Sequence, residues 1–264
     1  YWLVGDRERG PAVYAAASDK DQAKAVFVEA QRMVEQMDTK VRRKLRIFKD
    51  SIYFPKMMST FKIISSEGYS KHGFNSHGTV IDELHAWKDP ELWRALTTAQ
   101  GAREQPLTFV ITTAGFDKTS ICWTEREAAL GVLNGTNPDD SLFAYICAAD
   151  EQDHWWKLET WIKANPGLSL DDWIEPDDAS DTRGEFPVRL SAKCPWRYNP
   201  NDPKPYIMQL QDFVRKYPGL GQQKRLDYMV DECTKALYSP AKQNSFRRLE
   251  LNQWTSQSER WLSL

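Results

Sequence analysis

Apolar positions along the first part of the chain change rhythm every dozen residues or so. Ala12-Val13-Tyr14-Ala15-Ala16-Ala17 is a short apolar run bounded by Gly10-Pro11 and Ser18, which predicts a buried strand. Directly after it, Ala23, Val26, Phe27, Ala30, Met33, Val34 and Met37 recur at helical spacing, while Lys20, Lys24, Glu29, Arg32 and Glu35 fill the opposite face. Ser18 is the expected cap of this helix, with Asp21 as a capping-box partner three residues on. A strand leading straight into an amphipathic helix predicts an α/β pattern.

Strands are further predicted over 46–53 and 61–65. A turn-rich patch at 67–78 leads into Thr79-Val80-Ile81-Asp82-Glu83, a buried strand that ends in two acids. A helix over 89–99, a buried strand over 107–113, a helix over 121–133 and a strand over 141–148 follow. Past residue 150 the character changes. A tryptophan-rich helix over 154–164 is stopped by Asn165-Pro166-Gly167, and residues 169–205, rich in Asp, Pro and Gly, read as a surface excursion. Helices over 207–216 and 224–238 flank Pro218-Gly219, and 245–254 reads as a strand or extended tail. The expected division is a core at 1–150 and a smaller helical subdomain at 151–264, with an insertion of no assigned role near 169–216.

Composition narrows the classes. The 264 residues suffice for a sizeable core without a disulfide or metal staple. Lys and Arg number 35 against 37 Asp and Glu, a net charge of −2, which excludes a histone-like wrapper of nucleic acid. A local basic stripe remains at Lys40, Arg42, Arg43, Lys44 and Arg46, read either as a solvated helix end or as a contact for a DNA backbone. No run of eighteen apolar residues occurs, so no transmembrane helix is expected. Cys122, Cys147, Cys194 and Cys233 stand far apart and are read as reduced thiols. Trp155, Trp156 and Trp161 are read as packing residues. The opening Tyr1-Trp2-Leu3-Val4-Gly5-Asp6 reads as an internal cut from a longer chain.

The chemistry gathers at Val80-Ile81-Asp82-Glu83. An apolar strand fixes two carboxylates at its end: one neutralises metal charge through water, and the other accepts a proton from an attacking water. The carboxyl ends of strands are also where open α/β sheets bind ligands. The plain alternative is a solvated acid pair at a strand-to-loop turn. The next buried strand ends in Ile111-Thr112-Thr113-Ala114-Gly115, whose hydroxyls can sense a γ-phosphate, although threonine favours strands in any case. His72, His77 and His85 flank the acids and are read as packing groups rather than zinc ligands.

Asp82-Glu83-Leu84-His85-Ala86-Trp87, Gly101-Ala102-Arg103-Glu104-Gln105-Pro106-Leu107 and Ile111-Thr112-Thr113-Ala114-Gly115, in that order, resemble the large subunit of tailed-phage terminases. Val13-Tyr14-Ala15-Ala16-Ala17-Ser18-Asp19, Ser239-Pro240-Ala241-Lys242 and Leu251-Asn252-Gln253-Trp254 extend the likeness over most of 1–165 and 218–261. The resemblance implies a P-loop NTPase-type α/β fold of the ASCE kind, with a mostly parallel sheet, flanking helices and a small helical lid. It implies a motor that uses ATP and Mg²⁺ to drive viral double-stranded DNA into procapsids. Asp82 would hold the metal, Glu83 would activate water, and Thr112 with Thr113 would couple hydrolysis to motion. Arg103, or else Lys71, would be the arginine-finger-like cation given to a neighbouring subunit; a surface salt bridge of Arg103 to Glu104 or Asp82 is the plainer reading. The implied partners are double-stranded DNA, the portal protein, the small terminase subunit and further copies in a ring, without a membrane, in the cytoplasm of an infected or lysogenic bacterium. No G-x-x-x-x-G-K-[ST] loop and no acidic nuclease cluster after Trp254 occur in the chain. Slow or absent ATP turnover by this chain alone is therefore expected. Asp-Glu-Leu-His also resembles the box of a DEAD/DEAH helicase, and a non-catalytic docking or assembly module is the third reading.

Overall fold

The computed structural model describes residues 1–66, 73–168, 202–216 and 224–256. The apolar run forms β1 (Ala12–Ala17), in which Val13, Ala15 and Ala17 share one buried face and Ala16 the other. α1 (Lys20–Gln36) follows at once. Its cap is Asp19 rather than Ser18: the Asp19 carboxylate accepts from the Asp21 and Gln22 amides at 2.8 and 2.9 Å. Ser18 instead donates to the Gln22 side chain at 2.6 Å. A carboxylate at this place also meets the positive end of the helix dipole, which a hydroxyl does less well.

α2 (Thr39–Arg42) is one turn, and the strand predicted over 46–53 is broken in two, β2 (Arg46–Ile47) and β3 (Ser51–Phe54). The Phe48 amide donates to the Ser51 carbonyl at 2.8 Å, closing a hairpin where periodicity alone suggested continuity. β4 (Ser59–Ser65), β5 (Ser76–Asp82), α3 (Glu91–Thr98), β6 (Leu107–Ile111) and α4 (Ile121–Leu133) follow. The sheet order is β2-β3-β4-β1-β5-β6. β1 pairs parallel with β4 and β5, and β5 parallel with β6, while β2, β3 and β4 are antiparallel. The parallel part of the expected α/β sheet is therefore present, extended by an antiparallel hairpin.

One side of this sheet buries Phe27 and Val34 of α1 with Leu45, Ile52 and Phe61, the Phe27 and Phe61 rings stacked at 5.8 Å. Trp2 lies so close over Gly78 that a Cβ there would fall 2.9 Å from its indole. α3 packs on β5 and buries Leu92 and Leu96. β6 was expected to be buried, yet Leu107, Phe109 and Ile111 are 51–53% exposed. No strand pairs with its outer edge among the described residues, so half of its apolar surface meets solvent.

The described residues divide into two compact units, 1–113 with 118–137, and 114–117 with 138 onward. In the second unit, α5 (Leu158–Ala164), α6 (Lys204–Lys216), α7 (Leu226–Leu237) and α8 (Pro240–Ser245) gather around Trp156, Trp161, Leu210, Met229 and Phe246. The tryptophans at 156 and 161 are core residues, as expected, and the Trp161 indole N–H donates to the Trp155 carbonyl at 2.8 Å. α6, inside the segment to which no role was assigned, buries Tyr206, Ile207 and Leu210 in this core. The earlier part of that segment, 169–201, and the turn at Pro218-Gly219 lie outside the described residues. The strand expected over 141–148 does not form: Phe143 and Tyr145 are exposed and no ladder holds the segment. The strand or extended tail expected over 245–254 does not form: the end of α8 runs into a π-helical turn, Phe246–Glu250, and then into irregular chain in which Asn252 has a positive φ of 51°. No helix is long and apolar enough to cross a membrane among the described residues.

Candidate functional site

The two strand ends singled out by sequence meet. Asp82 stands opposite Ile111 in the β5–β6 register, and the Glu83 amide extends the ladder by donating to the Ile111 carbonyl at 2.9 Å. Asp82, Glu83, Thr112 and Thr113 therefore occupy one carboxyl-end rim of two adjacent parallel strands.

The chain then reverses through Glu83, whose φ of 51° and ψ of 50° lie in the left-handed region, into the single 3-10 turn Leu84–Ala86. The Ala86 amide closes that turn on the Glu83 carbonyl at 2.9 Å, and buried Leu84 anchors it. This reversal brings His85 back over the end of β6. Its amide donates to Thr112 Oγ1 at 3.0 Å. Its ring Nδ1 lies 2.8 Å from Glu83 Oε2, 3.2 Å from Thr112 Oγ1 and 3.3 Å from Thr113 Oγ1. Thr113 donates to the same Glu83 oxygen at 3.4 Å, and Thr112 donates to the Thr113 carbonyl at 3.1 Å. Sequence reading had His85 only as a packing group. The signal available was its place two residues after Glu83, which is uninformative until the left-handed turn is known.

Electrostatics separates the two acids. Burial, and then the charge of Glu83, push the Asp82 carboxyl above its ordinary range. The hydrogen bond from His85, outweighing partial burial, holds Glu83 below its ordinary range. Neighbouring acids driven apart in this way have distinct chemical roles open to them: the lowered Glu83 favours its carboxylate form, and the raised Asp82 is the one a positive charge would stabilise most. A hard divalent cation such as Mg²⁺ fits Asp82, because it takes oxygen ligands and would offset both causes of the upward shift. Burial raises the Cys122 thiol, 3.8 Å from Thr112 Oγ1, so it stays protonated and unreactive.

Arg103 is not part of this rim. Its guanidinium is buried at the amino end of the sheet, bonded to Glu8 Oε1 at 3.2 Å and to the carbonyls of Arg9, Gly10 and Asn75 at 2.9, 3.1 and 3.2 Å. Gly10 precedes β1 and Asn75 precedes β5, so the arginine locks strand starts together and is not available to reach into a neighbour. Nor does it pair with Glu104 or Asp82, the surface bridge also considered. His77, likewise buried, pairs with Asp6. Lys71 and His72 lie outside the described residues.

A six-stranded mixed sheet flanked by helices, with acids and hydroxyls on adjoining strand ends, is an α/β fold of the P-loop NTPase type. The model of the family described as terminase large subunit, ATPase domain, matches residues 3–131. Protein YmfN of Escherichia coli strain K12 is 37% identical over 119 residues, 45% of this chain and 26% of that protein. The terminase large subunit of Enterobacteria phage HK97 is 28% identical over 172 residues, 63% of this chain and 33% of that protein. The chain thus spans between a quarter and a third of the length of these relatives. The crystal structure of the HK97 bacteriophage large terminase superposes with a TM-score of 0.63 over 96% of this chain and 42% of that one, at 22% identity, a likeness of fold.

Proposed function

We propose that the rim of β5 and β6 is the metal and water-activating half of an ATP hydrolysis site, and that it serves a motor translocating viral double-stranded DNA into procapsids. The observation that carries this reading is the side-by-side placement of Asp82 and Glu83 with Thr112 and Thr113. Asp82 would hold Mg²⁺, which supplies positive charge to a transferring phosphoryl group. Glu83, kept ionised by His85, accepts a proton from water. Thr112 and Thr113, bonded to the loop that carries Glu83, relay a change at one strand end to the other. The G-x-x-x-x-G-K-[ST] motif does not occur in the 264 residues, so slow turnover by this chain alone is the expected outcome.

The family match over residues 3–131 supports the packaging role, with double-stranded DNA, a portal protein, a small terminase subunit and further copies in a ring as partners in a bacterial cytoplasm. Lys40, Arg42, Arg43, Lys44 and Arg46 are all exposed and suit a phosphate backbone. Calorimetric titration with ATP, with and without Mg²⁺, tests the site. Mg²⁺ should strengthen binding to the chain and not to Asp82→Asn; equal Mg²⁺ dependence in both would overturn the reading.

A further inference from the structure

We infer that His85 is a positioning residue that clamps the Glu83 carboxylate against the Thr112–Thr113 hydroxyls, so that the two strand ends move as one piece. The inference rests on the reading of Glu83 as the water-activating acid and adds a residue to it.

Hydrogen accounting fixes the direction of the bonds. Thr112 spends its proton on the Thr113 carbonyl, so its oxygen is left to accept the His85 amide. An ionised carboxylate only accepts, so the 2.8 Å contact to Glu83 Oε2 requires the proton on His85 Nδ1. The Thr113 hydroxyl converges on that same oxygen. The ring is thereby held in one tautomer, with its neighbours drawn from β6 and from the turn after β5. The left-handed backbone of Glu83 is what allows this: an extended residue there would carry the turn, and His85 with it, away from β6. Glu83 is thus held through backbone and side chain together, as a proton acceptor must be if it is to meet water in a fixed geometry.

Nitrogen NMR of the His85 ring tests the clamp without any turnover. At alkaline pH the Nδ1–H tautomer should dominate in the wild-type chain, and Glu83→Gln should shift the ring toward the ordinary Nε2–H form. A dominant Nε2–H form in the wild type, or ring shifts indifferent to Glu83→Gln, would overturn the proposal. The slow residual ATP turnover of the chain, measured at high enzyme concentration in the presence of DNA, gives the second readout. His85→Ala should lower kcat by up to roughly a hundredfold with KM little changed, and His85→Asn, which keeps an N–H near the Nδ1 position, should recover most of it. Glu83→Gln abolishing turnover while His85→Ala leaves it intact would sink the clamp alone. Turnover that survives Glu83→Gln would instead sink the reading of Glu83 on which the clamp rests.

Discussion

Asp82 and Glu83 are adjacent in sequence and opposite in electrostatics, and that contrast predicts a pH signature. Glu83 sits below its ordinary value of 4.5, so its contribution to stability is complete above that pH and is lost as pH falls through the lowered folded value. Asp82 has the reverse sign. Raised above 3.8, it favours the folded chain while protonated, and that contribution disappears as pH rises through its folded value. Asp82→Asn should accordingly raise the denaturant midpoint near pH 7 and leave it almost unchanged near pH 3, and Mg²⁺ should shrink the difference. Arg103→Ala should cost about 3–5 kcal/mol in urea unfolding, because Glu8 is left without its cation in a nearly dry setting. It should leave Mg²⁺-dependent nucleotide binding intact. The acids and threonines were legible in sequence because each closes an apolar strand. Arg103 was not, because its partners lie 28 to 95 residues away along the chain and only folding reveals that it is enclosed.

Among the elements, β1, α1, β5, α3 and α4 follow directly from hydrophobic period, and β6 shows where period stops being informative. An apolar run says that a strand wants cover on its flanks, not that cover is supplied. With Leu107, Phe109 and Ile111 exposed on an edge that no strand pairs among the described residues, the chain should self-associate through β6. Phe109→Lys should reduce the sedimentation-measured association without unfolding the sheet. Residues 141–148 make the same point from the other side: their sequence suits a strand, but no described strand pairs with them, although the Asn252 side chain reaches across to the Cys147 carbonyl. In the second unit, burial and then the Glu250 carboxylate push the Tyr228 phenol up to about 12. The tie between α7 and the π-helical turn is therefore complete below pH 10 and is lost as pH rises through that value, a loss that Tyr228→Phe should abolish.

For the molecule as a whole, a balanced net charge hides a concentrated stripe. Lys40, Arg42, Arg43, Lys44 and Arg46 fall within seven positions and are exposed on α2, the turn after it and the start of β2. If they hold a DNA backbone, each phosphate contact removed by a Lys or Arg to Gln change should lower the slope of log affinity against log salt by about 0.9. The sheet separates two rims of different chemistry. At the amino end, Arg103 and His77 tie down residues 6–10 and the starts of the strands, and at the carboxyl end the acids and hydroxyls stand side by side. Paramagnetic broadening by Mn²⁺·ATP reads that division directly. Amide signals of Asp82, Glu83, Thr112 and Thr113 should broaden together while those of Gly10, Asn75 and Arg103 stay sharp. Broadening at the amino rim, or at one strand end without the other, would contradict a shared nucleotide site.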